Sequence, residues 1–184
     1  DKVSINTAAH ENPELITNAA KVFGKSTIVI AIEAIKQPDG SYIAFTDNGR
    51  NRTGKEVISW ARTVEELGAG EILLTSVDRE GTGKGMDVDL IGQVCDVVKI
   101  PVVAHGGIGT PRHVSDIALQ VPVSGLTIAS LFHYHTITVS KNLDGFEEEG
   151  NIEFLKSKRI VSTIETSTIS GVKEQLKIEG VQVR

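Results

Sequence analysis

Two short stretches carry residues suited to holding an anion. One is Val102-Val103-Ala104-His105-Gly106-Gly107-Ile108-Gly109, and the other is Leu126-Thr127-Ile128-Ala129-Ser130-Leu131-Phe132. Each reads as an apolar strand that stops at small residues, with a helix signal close behind. Small residues let backbone N–H groups approach a ligand, and a helix N-terminus favours negative charge. In a β/α barrel, paired loops of this kind after the last two strands are the usual seat of a substrate phosphate. Gly106, Gly107, Ala129 and Ser130 are therefore the candidate phosphate-binding residues. Tight strand–helix packing by small residues is the plain alternative.

Glu33 ends the apolar run Ile28-Val29-Ile30-Ala31-Ile32. A strand end of that kind faces the active site of a barrel, where a carboxyl group can act as general acid or base. Its alternative is a solvated strand-end charge. The loop Asp78-Arg79-Glu80-Gly81-Thr82-Gly83-Lys84-Gly85 looks mobile, and Gly81 and Thr82 are suited to a phosphate. It matches neither a Walker loop nor a dinucleotide fingerprint, so a flexible surface loop remains the other reading. His133 and His135 resemble a metal pair, yet a third ligand at useful spacing is missing, and no metal or other cofactor is expected. His105 stands at a strand end within reach of a substrate. His10 and His113 read as loop and helix surface, and Trp60 as a core residue. Glu71 opens a strand at the face of a barrel where stability usually rules, and can pair with Lys2, which opens another.

These residues must be positioned by alternating strands and helices, the pattern of a parallel α/β architecture. Strands are expected near residues 3, 30, 73, 103 and 127. Thr27–Ile35 reads as a strand covered on both faces. Tyr42–Thr46 returns after the Pro38-Asp39-Gly40 turn as a hairpin excursion. Asn12 looks like a helix cap with Pro13 in the first turn and Gly24 at the end. Further helices are expected over about Thr53–Leu67 and Val88–Val98, from Pro111 behind the Thr110 cap, and from near Thr168 to before Gly180. A polar excursion at about 141–167, with the small apolar cluster Ile152, Phe154 and Leu155, precedes the last helix. Five parallel strands cannot close an eight-stranded barrel, so either the chain is truncated, or it forms an open sheet, or a second copy covers the gap; an open edge is suited to self-association.

The chain has 184 residues, 40% of them hydrophobic and 23% charged. That is ordinary for one globular domain, here spanning 1–184. A net charge of −5 gives no general attraction to nucleic acid or anionic lipid. No apolar run reaches the ~20 residues needed to cross a membrane. The one cysteine, Cys95, cannot form an internal disulfide, which suits a reducing cytoplasm. The start at Asp1, almost inside a strand, points to sequence upstream.

Together the segments resemble the HisF family, the cyclase (synthase) subunit of imidazole glycerol phosphate synthase. The resemblance rests on Asp1–Ala9, Thr53-Gly54, Gly68-Ala69-Gly70-Glu71-Ile72-Leu73-Leu74-Thr75-Ser76, Asp78-Arg79, Gly81-Thr82, Gly106-Gly107 and Ala129-Ser130-Leu131-Phe132-His133. The Gly180–Arg184 ending also looks like the family's. The resemblance covers nearly all of the chain outside about 141–167. It implies a (β/α)8 TIM barrel, here a partial barrel lacking about the first three βα units. It implies ammonia-dependent cyclisation of a bisphosphate aminoimidazole carboxamide ribonucleotide, an activity this chain alone is expected to lack. Ammonia would come from a glutaminase subunit of the HisH type and enter at the bottom of the barrel. By this resemblance Lys2 and Glu71 match an ammonia gate, and Asp1 a partner-facing acid. Gly106, Gly107, Ala129 and Ser130 match a phosphate site, with Gly81 and Thr82 nearby. Glu33 stands where the family has a catalytic aspartate; the family's other catalytic aspartate, on its first strand, has no counterpart here. A HisF-like barrel that amidinates surface sugars is the closest alternative, and an inactive phosphate-binding fragment is another.

Overall fold

The computed structural model describes residues 1–139 and 162–183. Five parallel strands form its centre: β1 (Val3–Ile5), β2 (Ile28–Lys36), β5 (Glu71–Ser76), β6 (Val102–His105) and β7 (Gly125–Thr127). They lie side by side in chain order, so each neighbouring pair is joined by a crossover. Two antiparallel strands, β3 (Tyr42–Thr46) and β4 (Asn51–Glu56), form a hairpin. β3 pairs with residues 33–36 of β2, on the edge whose earlier residues 28–30 pair with β1. The hairpin thus stands at the C-terminal end of the sheet, as the expected excursion does. Among the described residues the sheet stays open, since β1 and β7 end it without pairing to each other.

The helices are α1 (Thr7–Glu11), α2 (Glu14–Phe23), α3 (Val57–Leu67), α4 (Val88–Val97), α5 (Pro111–Gln120), α6 (Ser130–Val139) and α7 (Ile169–Ile178). Their apolar stripes cover one face of the sheet. Ile28, Ile30, Ile32, Ile72, Leu74, Val102 and Ala104 are buried there against Ile16, Trp60, Val64, Leu90, Val94, Val114, Ile117 and Leu131. Each aliphatic side chain so buried contributes about 1.5–3 kcal/mol. The opposite face carries Ala31, Glu33, Leu73, Thr75, Val103 and His105, all half-buried. β2 is therefore not covered evenly on both sides; it alternates, with one packed face and one more open face.

Two further local expectations change, and one helix is additional to those expected. Thr7–Glu11 folds as a separate helix, because the Asn6 carbonyl accepts from both Ala9 and His10. Asn12 consequently ends α1, and Pro13 takes the cap position of α2. The stretch from Thr53 is strand until Glu56, whose carboxylate caps α3 by accepting from Ile58 N at 2.9 Å and Ser59 N at 2.7 Å. These bonds satisfy donors that the first helical turn leaves open. The cap expected at Thr110 is present, accepting from His113 N, and Thr168, near which the last helix is expected to start, likewise accepts from Gly171 N. Most of the polar excursion, with Ile152, Phe154 and Leu155, lies outside the described residues, as does Arg184.

Candidate functional site

The parallel register brings four side chains into one row at the C-terminal ends of the strands. Glu33 on β2 pairs with Thr75 on β5, Thr75 with His105 on β6, and His105 with Thr127 on β7. Partners in a parallel register point to the same side, so the row lies on the face that the helices leave open.

Glu33 is held from two directions. Its Oε1 accepts from Asn6 Nδ2 at 3.0 Å, and its Oε2 accepts from Gly49 N at 2.7 Å. Asn6 follows β1 directly, and Gly49 lies in the tip of the β3–β4 hairpin. The Asn6 Oδ1 is buried without a hydrogen-bond partner among the described residues. Glu33, Asn48, Thr75, Val77, Glu80 and His105 enclose a small cavity of about 110 Å³.

A second cavity, of about 140 Å³, lies beside the first. Its walls are Glu80, Gly81, His105–Ile108 and Thr127–Ser130. Gly106 and Gly107 take φ of 102° and 101°, conformations that other residues rarely adopt. A side chain would also fail on space: a Cβ on Gly106 would sit 2.6 Å from the Ser76 carbonyl oxygen, and one on Gly107 2.2 Å from that of Gly85. Ser130 is the first residue of α6, and the Ala129 carbonyl accepts the helix's early bond from His133 N. The cavity thus combines a glycine wall with a helix N-terminus, an arrangement that favours an anion.

The loop from Asp78 to Gly85 is fastened rather than free. Asp78 accepts from Lys36 N at 2.7 Å, Gly85 N donates to Gly107 O at 2.8 Å, and Thr163 Oγ1 donates to Thr82 O at 2.7 Å. Gly81 reaches the glycine-walled cavity. Thr82 does not line it, because its hydroxyl donates within the loop to Arg79 O at 2.7 Å. Just behind the loop, the buried Asp87 accepts from Tyr42 OH at 3.0 Å and ties α4 to the hairpin.

At the opposite end of the strands Lys2 Nζ meets Glu71 Oε2 at 2.6 Å, the pairing their strand-start positions suggest. Glu71 is largely shielded and Lys2 half-exposed; Asp1 beside them is exposed.

Other candidates fall elsewhere. His10 is not on a surface loop. It lies on α1 with its ring stacked on Trp60, centroids 4.6 Å apart, and Lys55 Nζ stands 4.0 Å from the Trp60 ring centroid. Burial, and then the Lys55 charge, push the His10 pKa down to about 4. Trp60 belongs to the core, as expected. His113 lies on α5, half-buried, and its Nδ1 accepts from Gly109 N at 3.2 Å. His133 and His135 join no group of metal-ligating side chains among the described residues. No helix among those residues is long and apolar enough to cross a membrane.

Sequence reasoning did not single out Asn6, Thr75 or Glu80 as site residues. Thr75 and Glu80 share the Glu33 cavity, and Asn6 holds the Glu33 carboxylate. The available signal was position: Thr75 lies near its strand's end as Glu33 does, and Asn6 follows its strand directly.

Residues 1–138 match the family described as histidine biosynthesis protein. The chain is 42% identical over 168 residues to the imidazole glycerol phosphate synthase subunit HisF of Methanopyrus kandleri, covering 82% of this chain and 62% of that relative. It is 43% identical over 150 residues to the HisF subunit of Gluconacetobacter diazotrophicus, covering 82% and 58%. With the HisF subunit of Streptococcus mutans the identity is 39% over 150 residues, covering 82% and 60%. The chain spans about three-fifths of the length of these curated relatives.

Proposed function

The chain belongs to the histidine biosynthesis protein family, and from that premise we propose that it works as the ammonia-using cyclase subunit of an imidazole glycerol phosphate synthase. Its substrate would be a bisphosphate aminoimidazole carboxamide ribonucleotide. The observation that carries this reading is the pair of adjoining cavities, which share His105 and Glu80. One offers glycine backbone and the start of α6 to a phosphate. The other offers the Glu33 carboxyl to a reacting carbon next to it. Anchoring a remote phosphate fixes the reactive end in place, which is how binding energy serves the chemical step. Glu33 is the proposed acid–base group. Gly81, Gly106, Gly107, Ala129 and Ser130 are the proposed phosphate contacts, with Thr82 shaping the loop behind them. Lys2 and Glu71 are proposed to admit ammonia from a glutaminase subunit docked near Asp1.

A substrate with a phosphate at each end needs two such seats, and one glycine-walled cavity of this type lines the described C-terminal strand ends. We therefore expect turnover when the chain is combined with the part of the Methanopyrus relative that it does not span, supplied as a separate polypeptide. The assay follows ammonium-dependent consumption of the ribonucleotide. Turnover of an amidino-sugar precursor in its place would select the sugar-amidinating reading. That second reading draws on the residue at position 33, a glutamate one methylene longer than the aspartate the resemblance implies there, and on the excursion at about 141–167. The chain alone is expected to be inactive and to self-associate through its open sheet face, which sedimentation would report as species larger than a monomer.

A further inference from the structure

Among the described residues, His105 and Glu80 are the two side chains that border both cavities. His105 Nδ1 lies 3.2 Å from the Thr127 carbonyl oxygen. A carbonyl can only accept, so Nδ1 carries the proton, and Nε2 is the nitrogen left to face Glu80. Glu80 Oε1 is 3.4 Å from Nε2, longer than the ~2.7–2.9 Å of a closed charge-assisted bond. Nε2 therefore has capacity for another partner.

Among the described residues that line the glycine-walled cavity there is no lysine or arginine, and Glu80 is the one carboxyl. A phosphate entering it sits beside a group of like charge, which disfavours both. Imidazole is the side chain that ordinarily gains or loses a proton near neutral pH. His105 stands against Glu80, on the wall the phosphate would meet.

We propose that His105 is the switchable charge of the phosphate site: it takes up one proton at Nε2 when a phosphate monoester binds, and so joins the phosphate to Glu80. The proton comes from solvent, the Nδ1–H continues to donate to the Thr127 carbonyl, and no other bond changes. This rests on the phosphate-binding reading above and deepens it, because it makes the site selective for an anion able to hold an imidazolium. Other titratable or charged groups near His105 among the described residues are these. Glu33 faces it from β2 across the smaller cavity. His113 on α5 is engaged with Gly109 N, and Glu165, from the segment before α7, reaches Gly109 O through its backbone N–H. Arg79 packs its stem near Gly107.

The test is calorimetric titration of the full chain with inorganic sulfate, whose own charge does not change near neutral pH. It is repeated with glycerol phosphate, and in buffers of different ionisation enthalpy. Wild type is expected to bind sulfate roughly tenfold more tightly at about pH 6 than at about pH 8. His105→Gln is expected to bind with no such dependence and no proton uptake. Glu80→Gln is expected to strengthen binding at the higher pH, where its like charge is felt most. Nitrogen-15 imidazole spectra of wild type give a reading that needs no variant: the His105 signal moves to the doubly protonated form as sulfate is added. Sulfate binding that is equally pH-dependent in wild type and His105→Gln overturns the role of His105 while leaving the phosphate site standing. An absence of sulfate and glycerol phosphate binding by wild type at either pH overturns the phosphate site itself, and this proposal with it.

Discussion

Glu33 Oε2 accepts the Gly49 N–H at 2.7 Å, so the acid of the candidate site and the tip of the β3–β4 hairpin hold each other in place. The other oxygen is held by Asn6 Nδ2, while Asn6 Oδ1 has no partner among the described residues. In Glu33→Gln the new carboxamide oxygen can keep the Gly49 bond, but its NH₂ can donate to Oδ1 only if the Asn6 amide turns over and gives up the Nδ2 bond to the Phe45 carbonyl at 3.4 Å. We expect a stability loss of about 1–2 kcal/mol, read from thermal unfolding. Turnover in the supplemented assay should fall at least about 100-fold. A variant that keeps its rate would remove Glu33 from the acid–base role.

Gly107→Ala should damage the phosphate cavity and the fold together. The backbone at φ 101° resists a side chain, and the Cβ would fall 2.2 Å from the Gly85 carbonyl, which itself sits in the fastened loop. Neither backbone segment can yield without breaking the Gly85 N to Gly107 O bond. We expect a loss of about 2–4 kcal/mol in urea unfolding. Sulfate binding should be lost even at low temperature, where the variant stays folded. Unchanged binding would place the anion elsewhere.

The strand order and the hairpin were legible in the sequence because β-branched runs and the Pro38-Asp39-Gly40 turn are local signals. The helix at Thr7–Glu11 was not. Its five residues carry too few apolar positions to show a period, and its start depends on the Asn6 carbonyl accepting two bonds. Glu33 and the glycine pair were visible as strand-end residues. The row from Glu33 through Thr75 and His105 to Thr127 was not, since register across crossovers is set by packing of distant elements. Likewise, a histidine five residues after a strand gives no hint that Trp60, fifty positions on, will cover it.

That His10–Trp60 stack should make stability depend on pH. In the folded chain His10 is held neutral by burial and by Lys55, with a pKa of about 4 against an ordinary 6.5. The unfolded chain binds the proton more readily, so folding is favoured fully above about pH 6.5 and progressively less as pH falls toward 4. Below that both states are protonated and the contribution is gone. With the residue half-buried, the loss is on the order of 1–2 kcal/mol. Trp60 is the sole tryptophan, so its fluorescence reports both the urea midpoint and the approach of charge to the ring. His10→Phe should flatten the pH dependence over this window, whereas an unchanged slope would assign it to carboxylates elsewhere.

The Lys2–Glu71 pair separates a structural role from a gating role. At 2.6 Å, with one partner half-exposed, such a pair contributes at most about 1 kcal/mol, because water screens it and two side chains lose freedom. Glu71→Gln should therefore leave the unfolding midpoint nearly unchanged. If the pair admits ammonia, the variant will keep its rate with added ammonium salt yet lose coupling to a glutaminase subunit, so that glutamine is hydrolysed without matching product. Both rates are read in one preparation by following glutamate and product together. Equal loss of the ammonium-dependent and glutamine-dependent rates would instead show that Glu71 supports this end of the sheet and gates nothing.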